Sequence, residues 1–161
     1  HCFTAPRALT LRAGRVIARP YLPGLPLAPA TLEGAPTDEA GARVVELADS
    51  RSWRLAFDAS YEGALSVRIG SESGLEITLE EGRLTVDLTG TRYPHGGRRV
   101  VTLDAGEACR VEILHDRSIT EIYLGDGSRV FTTRSFLNGA GAGVALEGGA
   151  SVTDIRAVRA D

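Results

Sequence analysis

An all-β fold, two antiparallel sheets packed as a jelly-roll-like sandwich, is predicted by three observations. Short apolar/polar alternations of period two recur along most of the 161 residues. Nineteen glycines punctuate them, as turns between closely spaced strands require. No run carries the longer 3.6-residue periodicity of a helix.

The elements follow in order. Ala8-Leu9-Thr10-Leu11 and Arg15-Val16-Ile17-Ala18 are short runs joined by Arg12-Ala13-Gly14. Pro20, Pro23, Pro26, Pro29 and Pro36 come next. Proline fixes φ and lacks the amide donor, so this stretch reads as an extended connector, neither helix nor central strand. Arg43–Leu47 is a strand. Trp53, Leu55 and Phe57 then share one face of the next, where Trp53 is read as core. Leu65–Ile69 repeats the period. Leu75, Ile77 and Leu79, a turn at Glu81-Gly82, and Leu84, Val86 and Leu88 make a hairpin with one apolar side. Further strands are predicted at Arg99–Leu103, Arg110–Leu114, Ile119–Leu124, Arg129–Thr133, Gly143–Leu146 and Val152–Val158. Asp126-Gly127 is a turn, with Gly supplying positive φ.

Composition narrows the function classes. A net charge of −3 and no basic patch argue against nucleic acid. No stretch approaches the roughly 18 apolar residues of a membrane helix. All 18 positive charges are Arg, and Met is absent. A chain without an initiator is expected to be excised from a longer polypeptide. No signal-peptide pattern opens the sequence, and a cytoplasmic setting is favoured. Cys2 and Cys109 are too few for a disulfide framework and are read as reduced thiols. His1, His95 and His115 show no metal-ligand spacing with them. No metal and no cofactor are expected.

Two segments carry a family resemblance. One is Asp116-Arg117-Ser118-Ile119-Thr120-Glu121-Ile122-Tyr123, followed by Asp126-Gly127 and Val130-Phe131-Thr132. The other is Thr4-Ala5-Pro6-Arg7-Ala8-Leu9-Thr10-Leu11, then Gly14-Arg15 and Arg19-Pro20, with Ala8 where the family commonly has Glu. Together they resemble the C-terminal β-sandwich of glycoside hydrolase family 32, the invertases, sucrose-phosphate hydrolases and fructan hydrolases. The resemblance implies residues 1–35 as the end of a catalytic propeller with a Pro-rich connector, and 36–161 as the sandwich.

In that family an upstream five-bladed propeller hydrolyses β-fructofuranosides with retention, through an Asp nucleophile and a Glu acid/base. Retention needs two carboxyls about 5–5.5 Å apart. The family's Asn-Asp-Pro-Asn, Glu-Cys and Arg-Asp-Pro motifs do not occur here, and Asn138 is the single Asn. The resemblance therefore implies an accessory domain with no catalytic residues of its own. Its expected partners are the upstream propeller, a second copy of the chain, or a fructose-containing sugar.

Glu121 and Tyr123 share a strand face. A carboxylate beside a ring suits sugar hydroxyls and an apolar sugar face, with Arg117 and Arg134 as further donors. Such a fructan-binding module for terminal fructosides is the alternative function, and a lectin-like domain for other glycans a third. The competing structural reading pairs Glu121 with an arginine to fix sheet register. His115, Asp116 and Ser118 are triad residue types but too close in sequence to act as one, so Asp116 and Ser118 are read as turn caps. Tyr93–Arg99 is a solvated loop that could meet a sugar phosphate or a partner. Glu72, Glu76, Glu80 and Glu81 are read as the solvent face of the hairpin.

Overall fold

The computed structural model describes residues 3–29, 33–37, 42–46, 51–59, 64–70, 74–80, 82–103, 109–137, 143–148 and 152–160. The expected readings of His1, Cys2, Glu72, Glu81 and Asn138 lie outside them, as does the Cys109 side chain. The described residues form fifteen strands in three sheets, and every strand pair is antiparallel.

The first sheet is a two-stranded hairpin, β1 (Arg7–Arg12) and β2 (Arg15–Pro20). Ala13 and Gly14 connect them at φ 47° and 76°. Positive φ at both central residues gives the connection the twist that two-residue hairpins favour. Leu9 lies opposite Ala18, and Leu11 opposite Val16.

Six strands form the second sheet: β3 (Ala28–Pro29), β6 (Ser52–Ala59), β11 (Cys109–Asp116), β12 (Ile119–Leu124), β13 (Arg129–Arg134) and β15 (Val152–Ala160). Their order is β13-β12-β11-β6-β15-β3. The third has seven: β4 (Glu33–Thr37), β5 (Ala42–Glu46), β7 (Leu65–Ile69), β8 (Leu75–Glu80), β9 (Arg83–Asp87), β10 (Arg98–Thr102) and β14 (Gly143–Gly148). They run β10-β9-β8-β7-β14-β5-β4.

The two large sheets bury one core between them. Trp53, Leu55 and Phe57 of β6, Val111 and Ile113 of β11, and Ile122 and Leu124 of β12 meet the alternating apolar residues of β7, β8 and β9. The face expected for Trp53, Leu55 and Phe57 is the observed one, as is the Leu75–Leu88 hairpin, with Leu79 opposite Leu84. The proline-rich connector differs in one respect. Pro29 sits in β3 and Pro36 in β4, each the last strand of its sheet. An edge strand leaves one row of amide positions unpaired, which is where a residue without N–H is tolerated.

The turn between β11 and β12 also differs from its reading. The Asp116 carboxylate does not cap it but accepts a 2.6 Å hydrogen bond from the Ser52 hydroxyl on the neighbouring strand. Arg117 takes positive φ (53°), and its N–H donates to the Arg51 carbonyl.

Candidate functional site

Alternation along β12 sends Ile122 and Leu124 into the core and turns Glu121 and Tyr123 to the opposite face of the six-stranded sheet. That face is not open, because the N-terminal segment lies across it. The Glu121 carboxylate is only 2% exposed. One oxygen accepts from the Arg7 guanidinium, the other from the Ala5 N–H at 2.8 Å. Tyr123 and Thr132 hydroxyls approach the first oxygen at 3.3 and 3.4 Å. Arg7 also donates to Tyr123 at 3.1 Å and to Thr132 at 2.8 Å, with its guanidinium 5.6 Å from the Tyr123 ring centre.

This closed ring of donors explains how a carboxylate survives burial: its charge is paired and its lone pairs are satisfied. Burial works against the Arg7 charge, but its bonds to Glu121 and Tyr123 outweigh that and raise its pKa. Burial raises the Tyr123 pKa, and the Glu121 charge adds to it. Tyr123 therefore stays a neutral donor at physiological pH.

Of the four residues expected to form a site, the structure brings Glu121 and Tyr123 together and leaves Arg117 and Arg134 elsewhere. Arg134 stands opposite Ile119, reaches the Ser118 hydroxyl at 3.5 Å and covers the Phe136 ring at 4.7 Å. Arg117 is exposed in the β11–β12 turn. The cation on Glu121 is Arg7, 114 residues away. No local pattern signals a pairing of that span. Thr132 was legible, since it lies directly opposite Glu121 once the β12–β13 hairpin is in register.

Further contacts fasten the N-terminal hairpin down. Ala18 N–H donates to the Gly127 carbonyl at 2.9 Å and Arg19 to the Asp126 carbonyl at 3.0 Å. A Cβ on Gly127 would stand 2.3 Å from the Ala18 carbonyl oxygen, and its φ is +97°. Only glycine fits the Asp126-Gly127 turn beneath this hairpin. Two cavities of about 370 Å³ each remain under the segment. One is bordered by Phe3, Ala5, Leu25, Leu114, Ile119 and Glu121, the other by Arg19, Leu27, Arg54, Glu112, Tyr123 and Gly127.

The hairpin's other side is bare. Leu9, Leu11 and Val16 are exposed there, Leu11 to 74%, and Phe3 and Tyr21 are exposed in the segments flanking the hairpin. Among the described residues, these five outnumber the exposed large apolar residues of the sandwich itself, Tyr93 and Val100.

His115 belongs to the core rather than to this face. Its ring stacks on Trp53 at 5.4 Å, and its Nδ1 pairs with the Thr120 hydroxyl at 2.9 Å, which meets Ser135 at 2.6 Å. Burial lowers its pKa to about 4, so the ring is neutral at pH 7. The Trp53 indole N–H is buried without a hydrogen-bond partner. Among the described residues, no group of three or more His, Cys, Asp or Glu could hold a metal, and no helix is long and apolar enough to cross a membrane.

Glu76 accepts from Ser66 at 2.8 Å, and Glu80 pairs with Arg83. Neither is among the partners of Glu121, so the described residues around that carboxylate supply no second acid.

Among curated proteins none matches the sequence. Among solved structures, the fold is similar to sucrose-6-phosphate hydrolase from Lactobacillus gasseri, with a TM-score of 0.76 at 17% identity, over 96% of this chain and 33% of that one. Exo-inulinase from Aspergillus awamori gives 0.70 at 14% identity, over 94% and 34%. A glycoside hydrolase family 32 structure from Bifidobacterium adolescentis gives 0.69 at 17%, over 97% and 25%. The chain thus spans a quarter to a third of the length of these proteins. Residues 32–159 match the family described as glycosyl hydrolases family 32 C terminal. Folded as a two-sheet antiparallel sandwich and matched over four-fifths of its sequence, the chain belongs to glycosyl hydrolase family 32 as its C-terminal domain.

Proposed function

We propose that this chain is the non-catalytic accessory sandwich of a β-fructosidase acting on sucrose, sucrose phosphate or fructans. Its role is to carry the N-terminal hairpin as a docking element for an upstream catalytic domain. One observation supports this above the others. Leu9, Leu11 and Val16 form an exposed apolar face on a hairpin whose opposite side is bonded to the sandwich. A two-stranded hairpin is marginal alone in water, and clustered exposed apolar side chains on a soluble domain mark a surface that is covered in use. The similarity to enzymes three to four times longer points the same way.

Sugar recognition by Glu121 and Tyr123 has less support. Both Glu121 oxygens are already bound within the chain, so a sugar hydroxyl must displace Arg7 or Ala5.

The test has two arms. The 161-residue chain is expected to release no fructose from sucrose or inulin. In the polypeptide that includes the upstream domain, L11E/V16E is expected to lower the enzyme's melting temperature, while the same change in the isolated sandwich leaves its own melting temperature nearly unmoved. Fructose release by the chain alone, or an unaltered melting temperature in the longer protein, would overturn the proposal.

A further inference from the structure

A second surface lies where the ends of the two large sheets meet. The loop after β9 and the segment after β13 join there, because the Arg92 N–H donates to the Phe136 carbonyl at 2.8 Å. Tyr93 and Phe136 form an edge-to-face pair with centres 5.0 Å apart and planes at 88°. A guanidinium covers each ring: Arg92 over Tyr93 at 5.6 Å and Arg134 over Phe136 at 4.7 Å. Ser118 lies 3.5 Å from Arg134, and the exposed Arg117 is its neighbour in the turn.

The charge at this end is unbalanced. Among the described residues, Arg92, Arg117 and Arg134 form no ion pair. Asp87 is taken by Arg98, while Asp116, which accepts from Ser52, keeps its charge beside Arg117, so the described residues of this end remain net positive. The whole chain nevertheless carries −3. A concentrated cationic end on an acidic molecule attracts anions selectively.

Two features decide what kind of anion. The planar fork of Arg matches phosphate oxygens two at a time, and a guanidinium already held over a ring has less freedom to lose on binding. Tyr93 remains 49% exposed, which leaves an aromatic surface free for the C–H face of a sugar ring. A bare anion would use the arginines and leave that surface wet.

We propose that Arg92 and Arg134, flanking the Tyr93–Phe136 pair, form a binding site for a sugar phosphomonoester, with Arg117 and Ser118 adding donors. The phosphate is held by the guanidinium groups at the rim of the ring pair, and the sugar ring packs on Tyr93. The site stands on different residues from the docking hairpin, so either reading can fail without the other.

Calorimetric titration of the 161-residue chain with glucose 6-phosphate, inorganic phosphate and glucose tests it. Glucose 6-phosphate is expected to bind, inorganic phosphate to bind about tenfold more weakly, and glucose not at all. Affinity should fall as salt rises. R92A/R134A is expected to weaken glucose 6-phosphate by about tenfold or more. R92K/R134K keeps the charge but loses the fork, and should weaken it too. Y93L should abolish the preference over inorganic phosphate. No binding of glucose 6-phosphate, equal affinity for inorganic phosphate, or unchanged affinity in both arginine variants overturns the proposal.

Discussion

The buried Glu121 is held by partners of unequal freedom, and that inequality has a measurable consequence. Arg7 is 28% exposed and can turn to water if its carboxylate is removed, whereas Glu121, at 2%, cannot. Breaking one side of a buried ion pair costs roughly 3–5 kcal/mol when the survivor stays desolvated. Arg7→Ala is therefore expected to destabilise the chain by about that much, and Glu121→Ala by less, as measured by urea unfolding. Equal losses would show that the Glu121 oxygens regain water once Arg7 is gone. His115 sets a second expectation. In the unfolded chain its imidazole takes up a proton near 6.5, but when buried it does so only near 4. Between those values the unfolded state binds more protons, so this contribution is complete above pH 6.5 and is lost as the pH falls toward 4. The loss amounts to about 3 kcal/mol. The difference in urea midpoint between wild type and His115→Phe should narrow or reverse over that interval. Parallel pH profiles would mean that the folded ring titrates normally.

At the scale of elements, the hairpin β1–β2 is the part most open to adjustment. Ala13 holds φ 47°, a left-handed value that costs an L-residue roughly 1–2 kcal/mol. Ala13→Gly should recover about 0.5–1 kcal/mol after the entropy of the more flexible unfolded chain is subtracted. A fall in melting temperature for this variant would count against the turn as described. Gly127→Ala is expected to act in the other direction, because its Cβ meets the Ala18 carbonyl. It should lift the hairpin while leaving the core intact, so thermal stability falls and near-ultraviolet circular dichroism stays. The two short runs around Ala13-Gly14 were legible in the sequence, but their pairing as a hairpin was not. Nor was the hairpin's seat on β12 and β13. Period-two alternation states which side chains share a face, but it does not state which distant strand will cover that face. The same limit hid Arg7 while leaving Glu121 conspicuous. It also explains the prolines: composition excluded central strands, whereas edge pairing at Pro29 and Pro36 depends on where the sheets end.

For the whole molecule, the layers separate a core from a cover. Among the described residues, eighteen buried ones form the cluster between the two large sheets, and none comes from the hairpin. Alternation foretold this core well, because burying one face of each sheet is the dominant favourable term in folding and it writes itself into every strand. The hairpin buries Ile17 and otherwise adds polar contacts at Glu121, Gly127 and Asp126. Removing residues 1–22 should therefore leave a cooperatively folding sandwich. Its single tryptophan, Trp53, stays stacked on His115 in the core, so its emission should remain blue-shifted. The truncated chain should still be less stable, since Glu121 loses Arg7 and Ala5 together. Replacing both members of a polar pair is far less costly than stranding one. Adding Glu121→Thr to the truncation, a β-branched residue suited to a strand, is thus expected to restore much of the loss, whereas the same change in the intact chain takes the acceptor from both Arg7 and Ala5 and destabilises it. This crossing of effects distinguishes a cover latched through one carboxylate from a hairpin that belongs to the folding unit. If the truncated chain fails to fold with either residue at position 121, the hairpin is part of the core's own cooperativity and the separation of layers is wrong.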